Sequence, residues 1–392
     1  MTDNEIIYLD NNATTQLDPA VIEEMLPFLT KYYGNPSSGY GFAAMARKAI
    51  NLARERLAAL LGCEPTEIVF TSGGTESNNA VINSVLQLEP RGKNVITSAV
   101  EHSAVLRPCQ DLAKRGCLVS FLNVDSHGDL DLGELEAAIR PETTFVSIMW
   151  ANNETGVVFP IEKIAEICRE KRVLFHTDAV QATGKIPMSL RDTPINFLSL
   201  SAHKFHGPKG VGALYVNRQT RFSPLVAGGG QENERRGGTE NVASIVGLGK
   251  AAEVALKYLR EDKCNIRSMR DRFEKSVLGA VNGTSVNGAG ATRLPNTSSV
   301  SFEGIESSAA LLLLDREGIC CSAGSACRTG SQEASHVLRA MNPSEDGARR
   351  SLRFSLGRFT TDAEIDCAIE VVPKVIEKLR QSVGRTPVAA AL

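Results

Sequence analysis

Along most of the chain, short apolar runs alternate with segments whose apolar residues recur at helical spacing. The runs Ile68 to Thr71, Val173 to Phe175 and Ile195 to Leu200 read as buried strands, because a strand covered on both faces has no polar side to present. Shorter or more mixed runs predict further strands at Ile6 to Leu9, Val95 to Thr97, Leu118 to Val124, Thr144 to Trp150 and Val211 to Val216. Between them, Ile50, Leu57, Leu60 and Leu61 mark one face of a helix from about Phe42 to Leu61, closed by Gly62. Asp18-Pro19 opens an earlier helix, running to about Tyr32, with a capping residue followed by proline at the first helical position. Helices are also expected at Asp131 to Ile139, around Ile161, Ile164 and Cys168, and from Asn241 to Leu259, the last capped by Thr239. Strand–helix alternation of this kind defines an α/β protein on a mostly parallel sheet. From about Cys264 to Gln381 the pattern changes to that of a smaller α+β domain.

Strand after strand ends in polar residues: Thr75, His102, Asn153, Asp178 with Gln181, and His203 with Lys204. In a doubly wound sheet such ends converge on one crevice. Composition sets limits on what that crevice serves. The 392 residues are enough for more than one domain, and the 42% hydrophobic and 22% charged shares are those of an ordinary soluble globular protein. The net charge of −2 is interspersed, with no basic stretch suited to nucleic acid. The longest apolar run, Ala309 to Leu314, is far too short for a membrane span. An acidic N-terminus without a signal-peptide core, and nine cysteines without repeating spacing, fit a reducing, cytoplasmic setting. Pro387 to Leu392 reads as a loose tail and is set aside.

The stretch Ser201 to Gly210 carries Lys204 between two histidines, in a short loop between two apolar runs. A crowded lysine can lose its proton and form a Schiff base with a carbonyl. Asp178 ends another strand twenty-six residues upstream. Ile68 to Thr71 breaks into Ser72-Gly73-Gly74-Thr75 at a helix start, where glycines and the helix dipole make an anion cradle. Pyridoxal phosphate requires these parts: a lysine for its aldehyde, a carboxylate opposite its pyridine nitrogen, a phosphate cradle and a flat partner for its ring. Lys204, Asp178, the turn through Gly74 and Thr75, and His102 fill the four roles. Gln181 is placed to hold the ring's phenolic oxygen, and Ser201 and His203 to add phosphate contacts. Taken singly each has a plainer reading, as a salt-bridge partner, a capping histidine or a surface amide.

Two further stretches carry chemistry. Cys320 to Ser331 is a loop of small residues with three cysteines, and in Cys327 it holds a thiol followed by Arg328, a neighbour that favours the thiolate. No Cys-x-x-Cys pair is present, so no metal site is expected. In Arg350 to Arg358, alternation puts Arg353 on one face of a short strand with Ser351 and Ser355, where a guanidinium can fork onto a carboxylate.

With these motifs in hand, the chain resembles a cysteine desulfurase of the NifS/IscS type, within the fold-type-I pyridoxal phosphate enzymes. The resemblance runs from Tyr8 to Arg358 through Gly34-Asn35-Pro36-Ser37-Ser38, Thr71 to Glu76, Asn152-Asn153-Glu154, His176 to Gln181, Ser201 to Gly210, Gly238 to Asn241 and Gly324 to Cys327. It implies a seven-stranded-type sheet flanked by helices in a large domain, residues 15–260. Residues 1–14 and 261–386 would form a small α+β domain carrying the cysteine loop. It implies that Lys204 binds the cofactor aldehyde and moves protons, that His102 stacks on the ring, and that Gly74, Thr75, Ser201 and His203 hold the phosphate. Thr239 would join them from the partner subunit of a homodimer. Asn153 and Gln181 would contact the ring oxygen or the substrate, and Arg353, with Asn153 and Asn35, would bind L-cysteine. Cys327 would take the sulfur as a persulfide, release alanine, and pass the sulfur to an acceptor such as an iron–sulfur scaffold. A selenocysteine lyase, or a related class V lyase or aminotransferase, is the alternative on the same scaffold. Gly39-Tyr40 and Arg328 depart from the commoner pattern, and Cys320 and Cys321 add thiols that would be placed to take the sulfur onward.

Overall fold

The computed structural model describes residues 6–88, 94–261, 265–323, 334–342 and 348–383. Its centre is a seven-stranded sheet made from β2 (Ile68–Thr71), β3 (Asn94–Ser98), β4 (Leu118–Leu122), β5 (Thr143–Ser147), β6 (Leu174–Asp178), β7 (Phe197–Ser201) and β8 (Gly212–Val216). The spatial order is β2-β8-β7-β6-β5-β3-β4, parallel from β7 to β4, with β8 antiparallel to both of its neighbours. The expected strands are all present, most trimmed by a few residues.

Alternate residues of these strands feed two different cores, as the period-two geometry of a strand requires. Ile68, Phe70, Ile96, Val146, Leu198 and Tyr215 face one core, whose other members include Ile50, Leu57, Ile164 and Leu248. Those come from helices α2 (Gly41–Leu61), α6 (Ile161–Glu170) and α7 (Val242–Glu261), and α5 (Leu132–Ala138) adds Leu135 to the same core. Val69, Val95, Phe145, Phe197 and Leu214 face the other core, covered by Val81 and Val85 of α3 (Gly74–Leu88) and by Val105 and Cys109 of α4 (Ser103–Lys114). Helices on both faces explain the continuous apolar runs. They also leave the strand ends as the place where polar groups can gather.

The helix boundaries follow local chemistry. Asp18 caps α1 (Pro19–Thr30) by accepting from the Ala20 amide at 2.8 Å, and Gly62 ends α2 at φ +66°, a conformation that favours glycine. Thr239 does not cap α7; the Asn241 carbonyl and side chain receive the Ile245 and Ser244 amides instead, and the helix starts at Val242.

A third core is separate. It joins Ile7 and Leu9 to Phe273, Val300, Phe302, Leu352, Phe354, Ile365 and Ile376. The strands here are β9 (Thr284–Val286), β10 (Thr297–Phe302), β12 (Ser322–Ala323) and β13 (Ser351–Ser355), in the order β12-β13-β10-β9, all antiparallel. Val300, Phe302, Leu352 and Phe354 face the core, while the alternate residues Ser299, Ser301, Ser351, Arg353 and Ser355 share the other face. The chain's start is drawn into this part: β1 (Ile7–Tyr8) pairs in parallel with β11 (Ile319–Cys320). No helix of the described residues is long and apolar enough to cross a membrane.

Candidate active site

Lys204 sits in a single turn of 3₁₀ helix, Ala202–Lys204, between β7 and β8. Its Nζ donates to the backbone carbonyls of Asn12 at 2.7 Å and Ala13 at 2.8 Å. Two residues on, His206 adopts φ +68°, its Nδ1 bonds the Gln16 carbonyl and its amide donates to Thr15 Oγ1. The segment after β1 is thus laid along the lysine loop by several bonds, and Lys204 points into the seam where that segment meets Gln181.

Asp178 ends β6 and is buried. Asn78 Nδ2, one turn into α3, donates to Asp178 Oδ2 at 2.7 Å, and the Val180 amide donates to Asp178 Oδ1 at 3.0 Å. Each carboxylate oxygen keeps a lone pair for a further donor. Gln181 is buried too; its Nε2 donates to the Asn12 carbonyl at 2.9 Å, the same oxygen that receives Lys204. His102 is the N-cap of α4, its Nδ1 accepting from the Ala104 amide at 3.2 Å, which leaves the Nε2 proton in the neutral ring. The capping reading of His102 therefore holds, and it fixes the ring's orientation.

The turn after β2 fits an anion. Gly73 lies at φ +151°, with its missing Cβ 3.6 Å from Ser201 Oγ. At Gly74 a Cβ would stand 2.6 Å from Val180 Cγ2, so only glycine lets the backbone lie this close to the strand end. Thr75 follows in the first helical turn, exposed, where N–H groups have no intrahelical acceptor. His203 is placed by Thr14 Oγ1 at 3.1 Å. Burial, then Lys204, Lys209 and Lys185, push its pKa down to about 4. His203 is therefore a neutral hydrogen-bonding group at neutral pH. Together the glycine cradle, the Asp178 carboxylate, the oriented His102 ring and the Lys204 amine fit pyridoxal phosphate.

Arg353 is buried on the serine face, opposite Ser299 and Ser322. It pairs with Asp10 and donates through Nη1 to the Asn153 carbonyl at 2.9 Å. Asn35 stands apart from these contacts: it is exposed, and its Oδ1 accepts from the Ser37 amide in its own turn. Thr239 is exposed, on a loop tied to the first turn of α3 by the Arg236–Glu76 ion pair. Cys327 and its neighbours from Gly324 onward lie outside the described residues. Cys320 and Cys321 lie within them, and burial raises both thiols, the wrong direction for groups that would accept sulfur onward as thiolates.

Three contributors were not legible as site residues. Asn12, read as part of a turn, is the hub: its side chain donates to Thr297 Oγ1 at 2.9 Å and the Asn153 carbonyl at 3.2 Å, and accepts from Asn296 Nδ2 at 3.0 Å and Lys185 Nζ at 3.2 Å. Lys185 lies four residues after Gln181, and that spacing was its only signal. Glu101, beside His102, is fully buried, with Oε1 accepting from Ser98 Oγ and the Met149 amide. Its Oε2 has no partner among the described residues, and burial, with Asp178 as a minor contributor, pushes its pKa up to about 8.

An α/β sheet with a lysine and a carboxylate at adjacent strand ends, facing a glycine-lined helix start, defines a pyridoxal phosphate site of the fold-type-I class. Residues 7–367 match the family described as aminotransferase class-V, and the chain belongs to that family. It is 52% identical over 375 residues to the cysteine desulfurase of Nostoc sp., covering 96% of this chain and 94% of that one. It is 49% identical to the cysteine desulfurase NifS of Azotobacter vinelandii, covering 95% and 93%. Among solved structures, a NifS-like protein superposes with a TM-score of 0.89 at 39% identity, over 95% of this chain and all of that one. The structure titled SspA in complex with cysteine superposes with a TM-score of 0.79 at 37% identity, over 90% and 99%.

Proposed function

We propose that this protein is a pyridoxal phosphate-dependent cysteine desulfurase, acting in the cytoplasm as a homodimer and converting L-cysteine to L-alanine. The observation that carries the reading is the convergence of Lys204, Gln181 and Arg353 on one seam, joined through Asn12 and Asn153, with Asp178 three residues before Gln181. Relatives at about half identity over nearly the whole chain carry the cysteine desulfurase name, which supports the same substrate here.

Gly74, Thr75, Ser201 and His203 would hold the phosphate, Asp178 the ring nitrogen, Gln181 the ring oxygen and His102 the ring face. When bound, the cofactor supplies the electron sink for the pair left on the substrate carbon. Lys204, its Nζ kept near the seam by two carbonyls, takes and returns the proton at the substrate's Cα. Arg353 holds the substrate carboxylate, already fixed in direction by Asp10 and the Asn153 carbonyl. The Cys327 thiolate attacks the substrate's sulfur, the carbon–sulfur bond breaks, and the carbon gains a proton. The balance is one cysteine and one thiol giving one alanine and one persulfide on Cys327. That sulfur then passes to an acceptor protein, an iron–sulfur scaffold being the proposed class.

The core shared by Ile7, Leu9 and the residues after 265 supports a division at about residues 14/15 and 260/261, although Leu294, Val337, Leu338, Met341 and Ala348 pack into the large core; the active site would lie between the two units. The exposed Thr239, on a loop held next to Thr75, suits donation across a dimer interface. The test is a single turnover with L-cysteine, following the cofactor band, alanine, and mass on Cys327, beside Lys204→Ala and Cys327→Ala. Alanine with a Cys327 persulfide, both lost in Cys327→Ala while the band remains, is the expected result. Alanine without persulfide, unchanged in Cys327→Ala, would move the reading to a lyase.

A further inference from the structure

The seam holds a second amine. Lys185 Nζ donates to Gln181 Oε1 at 2.7 Å and to Asn12 Oδ1 at 3.2 Å. We propose that Lys185 is a positioning residue of the cofactor crevice: by donating to Gln181 Oε1 while braced on Asn12 Oδ1, it fixes which end of the Gln181 amide is the donor. This deepens the pyridoxal phosphate reading and rests on it.

The reasoning is one of donor and acceptor counting. An amide can present either end, and a lysine only donates while charged, so a lysine beside an amide selects its oxygen. With Oε1 of Gln181 taken by Lys185, the Nε2 end is turned to the Asn12 carbonyl, where it meets the Lys204 amine on a shared acceptor. With Oδ1 of Asn12 taken by Lys185 and Asn296, its Nδ2 end is turned to Asn153 and Thr297. A Gln181 flipped end for end would set its oxygen against the Asn12 carbonyl and its N–H groups against Lys185, losing both bonds. The end of Gln181 that donates is thus set by Lys185.

The backbone holds Lys185 in this place. Gly184 before it lies at φ +74°, and a Cβ there would stand 2.9 Å from Cβ of Phe205, the residue after Lys204. The two lysine-bearing segments are therefore in direct contact, which fixes where the Lys185 side chain starts. Burial, then Lys204 and Arg353, lower its pKa well below the usual lysine value. A neutral amine keeps two N–H groups for the two amide oxygens, but its lone pair no longer excludes the flipped amide, so the lock is strongest while Lys185 is charged.

The experiment is a titration of cofactor-stripped full-length protein with pyridoxal phosphate. It reads the dissociation constant and the pH midpoint of the visible band for wild type, Lys185→Met, Gln181→Ala and the double variant. Loss of the lock is expected to weaken cofactor binding about tenfold in Lys185→Met, the worth of one charge-assisted hydrogen bond, and to move the band's midpoint. The double variant is expected to bind no more weakly than Gln181→Ala alone, because Lys185 acts through that amide. Lys185→Arg, which keeps N–H donors, is expected to recover most of the affinity. Wild-type affinity and midpoint in Lys185→Met, or losses that multiply in the double variant, would overturn the proposal. If Lys185→Met fails to fold on thermal melting, Lys185→Ala takes its place with the same outcomes. Failure of the wild-type protein to take up the cofactor would instead overturn the function proposed above.

Discussion

Arg353 and Asp10, 343 positions apart, form an ion pair of 2.5 Å between Nη2 and Oδ1, with the arginine side chain only 3% exposed. Asp10 directs the guanidinium, and the Asn153 carbonyl takes a second donor. The Nε of Arg353 is buried without a hydrogen-bond partner among the described residues, an orphan donor on the face proposed to take the substrate carboxylate. Arg353→Lys keeps a charge but loses the fork. It is expected to raise KM for L-cysteine roughly ten- to a hundredfold, the worth of a charge-assisted forked bond, with the cofactor band unchanged. Steady-state kinetics with a parallel absorbance spectrum check it, and an unchanged KM would remove Arg353 from substrate binding.

Gly74→Ala tests the cradle. The added Cβ would meet Val180 Cγ2 at 2.6 Å, and Val180 lies two residues from Asp178. Relief requires the strand end or the helix start to move, at a cost of roughly 1–3 kcal/mol for overpacking. Weaker cofactor binding and a lower melting temperature are both expected. Calorimetry with and without pyridoxal phosphate measures the two effects together.

Glu101 sets a pH dependence of stability. In the folded chain its carboxyl keeps a proton up to about pH 8, whereas the ordinary value is 4.5. Between those limits the folded state binds one proton more than the unfolded state. Stability from this group is complete below about 4.5 and is lost as pH rises toward 8, at up to about 1.4 kcal/mol per pH unit. Glu101→Gln is expected to flatten that descent, seen as urea midpoints that converge with wild type at low pH and exceed it near pH 8. Parallel curves would argue that Glu101 ionises normally.

The histidines act in the opposite sense. Burial lowers His176 to about 3, and burial with the nearby cations lowers His203 and His206 to about 4, against an ordinary value of 6.5. Here the unfolded state binds the extra protons. Their stability is present above pH 6.5 and is lost as the pH falls toward 4. His206→Asn keeps a residue type that tolerates φ +68° and removes one titrating ring. A shallower acid limb in its denaturation curve is the expected outcome, and an unchanged limb would assign acid sensitivity elsewhere.

Much of this protein follows from local pattern alone. Ile68 to Thr71, the glycine turn, Asp178 and Lys204 were legible because each belongs to one short element, where period, capping and turn chemistry act between near neighbours. The alternation of Ser351, Arg353 and Ser355 likewise announced a polar strand face. What only the tertiary structure decided are the joins. Asn12 reads as a turn residue, yet its carbonyl receives Lys204 from 192 positions away and its side chain reaches Thr297 from 285. Lys185 has only its four-residue spacing from Gln181, and Glu101 has no local signal, since a lysine after a glycine and a glutamate at a strand end are ordinary surface residues until other segments close over them. Asn35 carried a motif, and its side chain is spent on its own turn. A period of two or 3.6 residues tells a side chain which face it occupies. It says nothing about which distant strand or loop lies against that face, and in this protein those distant neighbours set the charge, the orientation and the partners of the site.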